Sequence, residues 1–205
     1  MNRSRSKPAT NLDLSRWLEE LCGNIAGRLP ELSHVDPGRV LFCLSRSRSD
    51  GTHGVYARIA PLRFAGGEQR MTRQRGRYRE TYALPRLDHE GREVLYIIYL
   101  MIPRLLRLSF REKLRTIVHE LYHISPDFDG DIRRFPGRNY AHGSSRAAYN
   151  RRIDTLVTAW LETSPDEKLL APLHLREEDW QNGTVRLTGL RTPLPRAKLV
   201  ARHRV

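Results

Sequence analysis

The segment TIVHELYHIS, Thr116–Ser125, sets two histidines four residues apart with a glutamate directly after the first. On a helix, side chains four apart stand one above the other, so His119 and His123 can turn imidazole nitrogens toward one metal ion. Glu120 lies about 100° further round the helix. That offset keeps its carboxylate off the metal but within reach of a water bound to it. Phe110, Leu114, Ile117, Leu121 and Ile124 form an apolar stripe, and the histidines fall on the opposite side. A solvated pair of histidines would give the same wheel, so the rest of the chain has to supply a third ligand and a cover.

Outward from this segment, Ser109 and Glu112 have the S-x-x-E spacing of a capping box at the start of the helix, and Pro126 marks its end. Upstream, VLYIIYLMI (Val94–Ile102) has the β-branched and aromatic content of a strand buried on both faces. It is about half of what a bilayer span needs. Leu14, Trp17, Leu18, Leu21, Ile25 and Leu29 recur at helical spacing after a cap at Asn11 or Asp13, until Pro30. RVLFCLSRSR and VYARIAPLRF read as two strands around a loop of Ser49, Asp50, Gly51 and Gly54, and are expected to pair as a hairpin. The polar GGEQRMTRQRGRYRE reads as a solvated turn or ribbon unless it is the polyanion-binding surface, with a short strand in TYALP after it. A last long helix is expected from Ser145 to Glu162, with Tyr149, Ile153, Leu156, Val157, Trp160 and Leu161 on one face. Beyond it, TVRLTGL suggests a hairpin, and RTPLPRAKLVARHRV a tail that is mobile or bound to something. The expected organisation is a disordered arm over residues 1–10, one α+β domain over 11–164 and a basic C-terminal extension over 165–205. The domain should hold an N-terminal helix, a small sheet of three or four strands and two helices that clamp the metal.

The 205 residues suit one main domain. Lys and Arg outnumber Asp and Glu by 36 to 23, giving a net charge of +13 that attracts polyanions, nucleic acid above all. Arg70, Arg73, Arg75, Arg77 and Arg79 are the candidate contacts, although an arginine-rich surface also follows from GC-rich coding. Cys22 and Cys43 have no CxxC spacing, which excludes a disulfide framework and a cysteine zinc ribbon; both sit in apolar segments and read as core. The charged N-terminus has no apolar run behind it, so the reading is a soluble, cytoplasmic protein without membrane contact. His34, His53, His89, His174 and His203 read as surface residues.

A catalytic metal takes three protein ligands and keeps a fourth position for water. Asp129 stands at the metzincin spacing after the second histidine, but Pro126 occupies the position where that motif needs a glycine turn. His142, in NYAHGSS, could be brought back over the first helix by the loop from Ser125 to Ala141. Glu162 would need the metal at the far end of the last helix. Asp127, Asp129 and Asp131 are the nearest acids that could hold the imidazoles' second nitrogens. Tyr140 and Tyr122 could donate to a tetrahedral oxyanion.

HELYH, a loop of some eighteen residues and His142-Gly143 opening a helix together resemble the SprT-like zincin metallopeptidases, in particular those of phages and bacterial genomes. The resemblance is strongest from Val94 to Trp160. It implies a minimal zincin-like fold, Zn2+ held by His119, His123 and His142, and Glu120 as catalytic base. It implies a peptidase acting on protein or peptide substrates, including nucleic-acid-associated ones. Many SprT-like proteins carry a cysteine zinc ribbon, which a chain without cysteines after Cys43 lacks. A basic nucleic-acid-binding protein with a structural or inactive zinc site is the competing expectation.

Overall fold

The computed structural model describes residues 10–46, 55–137, 140–143 and 145–205. The loop at Ser49–Gly51 with Gly54, His53 and the expected arm up to residue 9 lie outside the described residues. In chain order, β1 (Thr10–Asp13) leads into α1 (Leu14–Arg28), β2 (Val40–Arg46), β3 (Ala57–Pro61), β4 (Arg70–Arg75) and β5 (Tyr78–Ala83). Then come β6 (Leu87–His89), β7 (Arg92–Val94), β8 (Tyr96–Ile102), α2 (Phe110–Tyr122) and α3 (Arg146–Glu162). Short helices α4 (Glu167–Leu170) and α5 (Glu177–Gln181) precede β9 (Val185–Thr188) and β10 (Lys198–Arg204). Helices and small sheets mix as an α+β fold.

The central sheet has the order β2-β8-β3. β2 runs parallel to β8 with Val40 opposite Tyr96, and β3 runs antiparallel with Ala57 opposite Leu100. The expected hairpin of β2 and β3 is therefore absent: β8 inserts between them. The physical reason is burial. Tyr96 to Leu100 are buried without a break, so this strand needs a neighbour at each edge and cover on both faces. One face meets α1, α2 and α3 in the main core; the other carries a smaller cluster that includes Cys43, Leu62, Ile97 and Tyr99. Cys22 and Cys43 are both buried.

Each main helix begins where a side chain can take its free backbone donors. Asp13 caps α1 through Ser15 N and Arg16 N, the capping box at Ser109 and Glu112 forms as read, and Ser145 caps α3. Trp160 of α3 is wholly buried and gives its indole N–H to Asn24 Oδ1 at 3.1 Å, which ties α3 to α1. Truncating a ring buried in this way costs about 3 to 5 kcal/mol in general.

The polar ribbon forms as an antiparallel pair of β4 and β5, and the expected separate strand in TYALP is the end of β5. The C-terminal stretch corrects another expectation. TVRLTGL is no hairpin: β9 pairs parallel with β1, whose first residue Thr10 was read as arm, and β10 pairs antiparallel with β5. The tail is thus bound, and to its own chain. Backbone donors and acceptors of an extended segment find partners on an exposed strand edge even where the side chains bury little. Upstream of it, Trp17 Nε1 donates to Leu169 O, and the buried Lys113 donates to the carbonyls of Leu173 and Leu175. No helix among the described residues is long and apolar enough to cross a membrane.

Candidate metal centre

α2 stops at Tyr122, four residues before Pro126, so His123 stands at the C-cap with αR dihedrals and still projects on the same side as His119. The turn is fixed by Arg133, whose backbone N–H donates to His123 O at 2.6 Å and whose Nε donates to Tyr122 O at 2.8 Å. These bonds take carbonyls that the end of a helix leaves free. The loop beyond is anchored under the central sheet: Tyr96 Oη donates to Asp131 O at 2.9 Å and accepts from Gly130 N at 2.9 Å. Gly130 has φ +90°, and a Cβ there would meet Arg63 Cγ at 2.5 Å, so both the conformation and the close approach require glycine. Phe135 N donates to Tyr140 O, and the chain returns to His142 just ahead of α3.

The result is a cluster of three imidazoles. His119, His123 and His142 each offer one ligand atom, all within 4.8 Å of one another, and could hold a metal ion. The Nε2 atoms of His119 and His123 are 3.0 Å apart. Two nitrogens at 2.0–2.1 Å from a tetrahedral ion would be separated by about 3.3 Å. Burial, with the neighbouring histidines and arginines next, pushes His119 down to about 4 and His123 down to about 3. His142 is lowered by burial and by Arg146. At neutral pH all three are therefore uncharged, which is the form that ligates metals.

Glu120, next to His119 on α2, is turned toward β3. It is 6% exposed, and its Oε2 accepts from Ile59 N of β3 at 2.8 Å. Burial pushes its carboxyl up to about 7, against the pull of the Ile59 N–H and Arg58. A cation held at the histidines would draw it back down. His119, Glu120, His123 and His142 share a cleft of 670 Å³ with Tyr140 and the edge of β3. A cavity of 700 Å³ between the start of α1 and Arg92 shares no lining residue with this cleft, so size does not mark the site.

Two of the acids read as candidate partners of the imidazoles serve the loop instead. Asp131 pairs with Arg134 at 2.7 Å and accepts from Gly66 N, while Asp129 accepts from Asp131 N. Asp129 is outside the histidine cluster, and Glu162 ends α3 at its far end. Tyr140 is half exposed, with the Arg134 guanidinium 4.9 Å from its ring, and Tyr122 lies under Arg133. His34, read as a surface residue, is half-buried, and its Nε2 is enclosed without a hydrogen-bond partner among the described residues. His174 and His203 are exposed, as read.

The residue whose place at the site sequence reasoning missed is Tyr149. Read as one of the apolar positions of the last helix, it is buried, but its hydroxyl lies 3.4 Å from His123 Nδ1 and its ring packs against all three histidines. His142 precedes α3, so no helical spacing relates the two, and no local signal in the sequence points to Tyr149. Were His123 to bind a metal through Nε2, its Nδ1 would carry the proton and donate to the Tyr149 oxygen, which would fix the ring. Tyr149→Phe is expected to weaken metal binding about tenfold, read by competition with a chromophoric chelator. Unchanged affinity would show that packing alone orients His123.

Compared with known proteins, the chain matches the model of a family described as "Putative phage metallopeptidase" over residues 12–152. No curated protein and no solved structure matches it.

Proposed function

This chain belongs to that family of phage metallopeptidases, and from this premise we propose that it is a zinc-dependent, SprT-like endopeptidase with a minimal zincin fold. The observation that carries the reading is the convergence of His119, His123 and His142 beside a buried carboxylate, Glu120. Three neutral imidazoles with a fourth position open to a cleft suit Zn2+, which favours nitrogen ligands and four-coordination. When bound, such an ion would lower the pKa of its water and polarise a peptide carbonyl.

The chain's own residues do the rest. Glu120 accepts a proton from the attacking water on Oε1, while Ile59 N–H holds Oε2 and so fixes the plane of the carboxylate. The same oxygen returns the proton to the departing amine. A carboxylate held in place beside the attacking water can do both, first as base and then as acid. Tyr140, at the cleft, donates its hydroxyl hydrogen to the oxyanion. β3 bonds β8 on one side only, and on its other edge, where Ile59 N–H is held by Glu120, the backbone of Ala57 and the edge carbonyls are left to bind an extended peptide.

The test is hydrolysis of an unfolded protein by the purified chain. Activity is expected to vanish on chelation and to return with about one equivalent of Zn2+. Hydrolysis by chain shown to be metal-free would overturn the assignment.

A further inference from the structure

The arginine ribbon is not a two-stranded finger. Because β10 pairs with β5, the five arginines of residues 70–79 are joined by Lys198, Arg202 and Arg204 in one sheet, β10-β5-β4. Glu80 is the one acid within these strands. Every residue of β4 and six of the seven in β10 are exposed, so the sheet stands away from both cores.

The register decides what each face carries. Paired residues share a face, as do side chains two apart, so Met71, Tyr82 and Leu199 form one row, Arg73, Glu80 and Arg202 the next, and Arg75, Tyr78 and Arg204 the third, a register shift between Leu199 and Ala201 absorbing the extra residue of β10. Two tyrosines on the middle strand are flanked by four arginines on the outer ones. The Arg202 guanidinium sits 3.8 Å from the centre of the Tyr78 ring, and that of Arg73 lies 4.7 Å from the Tyr82 ring while donating to its hydroxyl. Tyr82 in turn donates to Glu80 at 2.7 Å, and Arg202 pairs with the other oxygen at 3.5 Å. The acid is thereby covered, at 3% exposure, and its charge is spent within the sheet. Met71, Tyr78, Leu199, Val200 and Val205, all on or beside this sheet, are exposed although apolar or aromatic.

We propose that this face of the β4-β5-β10 sheet binds single-stranded nucleic acid. Phosphates meet Arg75, Arg204 and the outer guanidinium edges, and bases stack on the tyrosine–arginine pairs and the apolar side chains between them. An acidic protein surface would use the charge but leave the flat apolar groups unmatched. Duplex would use the charge too, but three strands about 4.8 Å apart, with their side chains, are too broad for a major groove that admits a two-stranded ribbon. This surface owes nothing to the histidine cluster and stands whether or not the chain is a peptidase.

Anisotropy of a labelled oligo-dT of about 20 nucleotides, longer than a sheet of this size covers, titrated with the intact chain over a salt series, tests it. A duplex of equal length and two variants with parental metal content and circular dichroism complete the set. The single strand is expected to bind more tightly than the duplex. R75Q/R204Q should flatten the slope of log affinity against log salt by about 1.4, the share of two phosphate contacts. Tyr78→Ala should weaken binding about tenfold at every salt concentration without changing that slope. Duplex bound as tightly as the single strand, a slope unchanged in the double variant, or no binding of oligo-dT at low salt overturns the assignment.

Discussion

Glu120→Gln is expected to lower peptide hydrolysis about a thousandfold, within the range that a positioned general base contributes, while bound metal stays at the parental level. Gln fills the same volume and its amide oxygen can still accept from Ile59 N, but it cannot take a proton at neutral pH. Undiminished hydrolysis would sink the mechanism. Activity lost together with the metal would instead mark Glu120 as part of the binding set. Persistent oligonucleotide binding beside absent hydrolysis in the parent would favour the competing view of a nucleic-acid-binding protein with a silent metal site.

The same substitution has a signature in metal-free protein. The Glu120 carboxyl titrates near 4.5 when exposed and near 7 in the fold, so the folded state holds the proton more tightly. Its penalty is absent below pH 4.5, grows as the pH rises and is complete above 7. The Gln variant should therefore overtake its parent in stability across that window, by at most about 3 kcal/mol. His119 and His123 act with the opposite sign: their folded values lie below 6.5, so their contribution is full above that pH and is lost on acidification. Both proteins carry that loss, and it cancels in the difference. Urea unfolding from pH 4 to 8 reads the effect, and parallel curves would mean that folding does not shift the Glu120 carboxyl.

The second large effect belongs to His142→Ala. With only His119 and His123 left, zinc affinity is expected to fall by more than about 100-fold, beyond what losing a neighbouring hydrogen-bond partner costs. Asp129→Ala is the paired control. Its carboxylate accepts from Asp131 N and takes no part in the histidine cluster, so stoichiometric metal should remain. The reverse outcome, zinc kept by the His142 variant and lost by the Asp129 variant, would move the third ligand to the loop.

The local elements were largely legible. Asp13 and the pair Ser109 and Glu112 announce the helix starts because a cap is a bond between residues two or three apart. The unbroken apolar run of β8 announces a strand buried on both faces. The pairing of strands was not legible. β2 and β3 looked like a hairpin because adjacent strands often pair, yet burial drives β8 between them.

By itself the sequence determined where the three long helices run, which strand is buried on both faces, that two histidines share one side of α2, and that the chain is strongly basic. These follow from periodicity, capping and composition, all set within a few residues. Tertiary structure alone decided that α3 brings Tyr149 onto His123, that β3 hands a backbone N–H to Glu120, and that β10 closes the arginine ribbon into a three-stranded sheet. Those contacts join residues 26, 61 and more than a hundred positions apart. At such distances no local preference picks the partner; the burial of apolar faces and the need of each strand edge for a mate do.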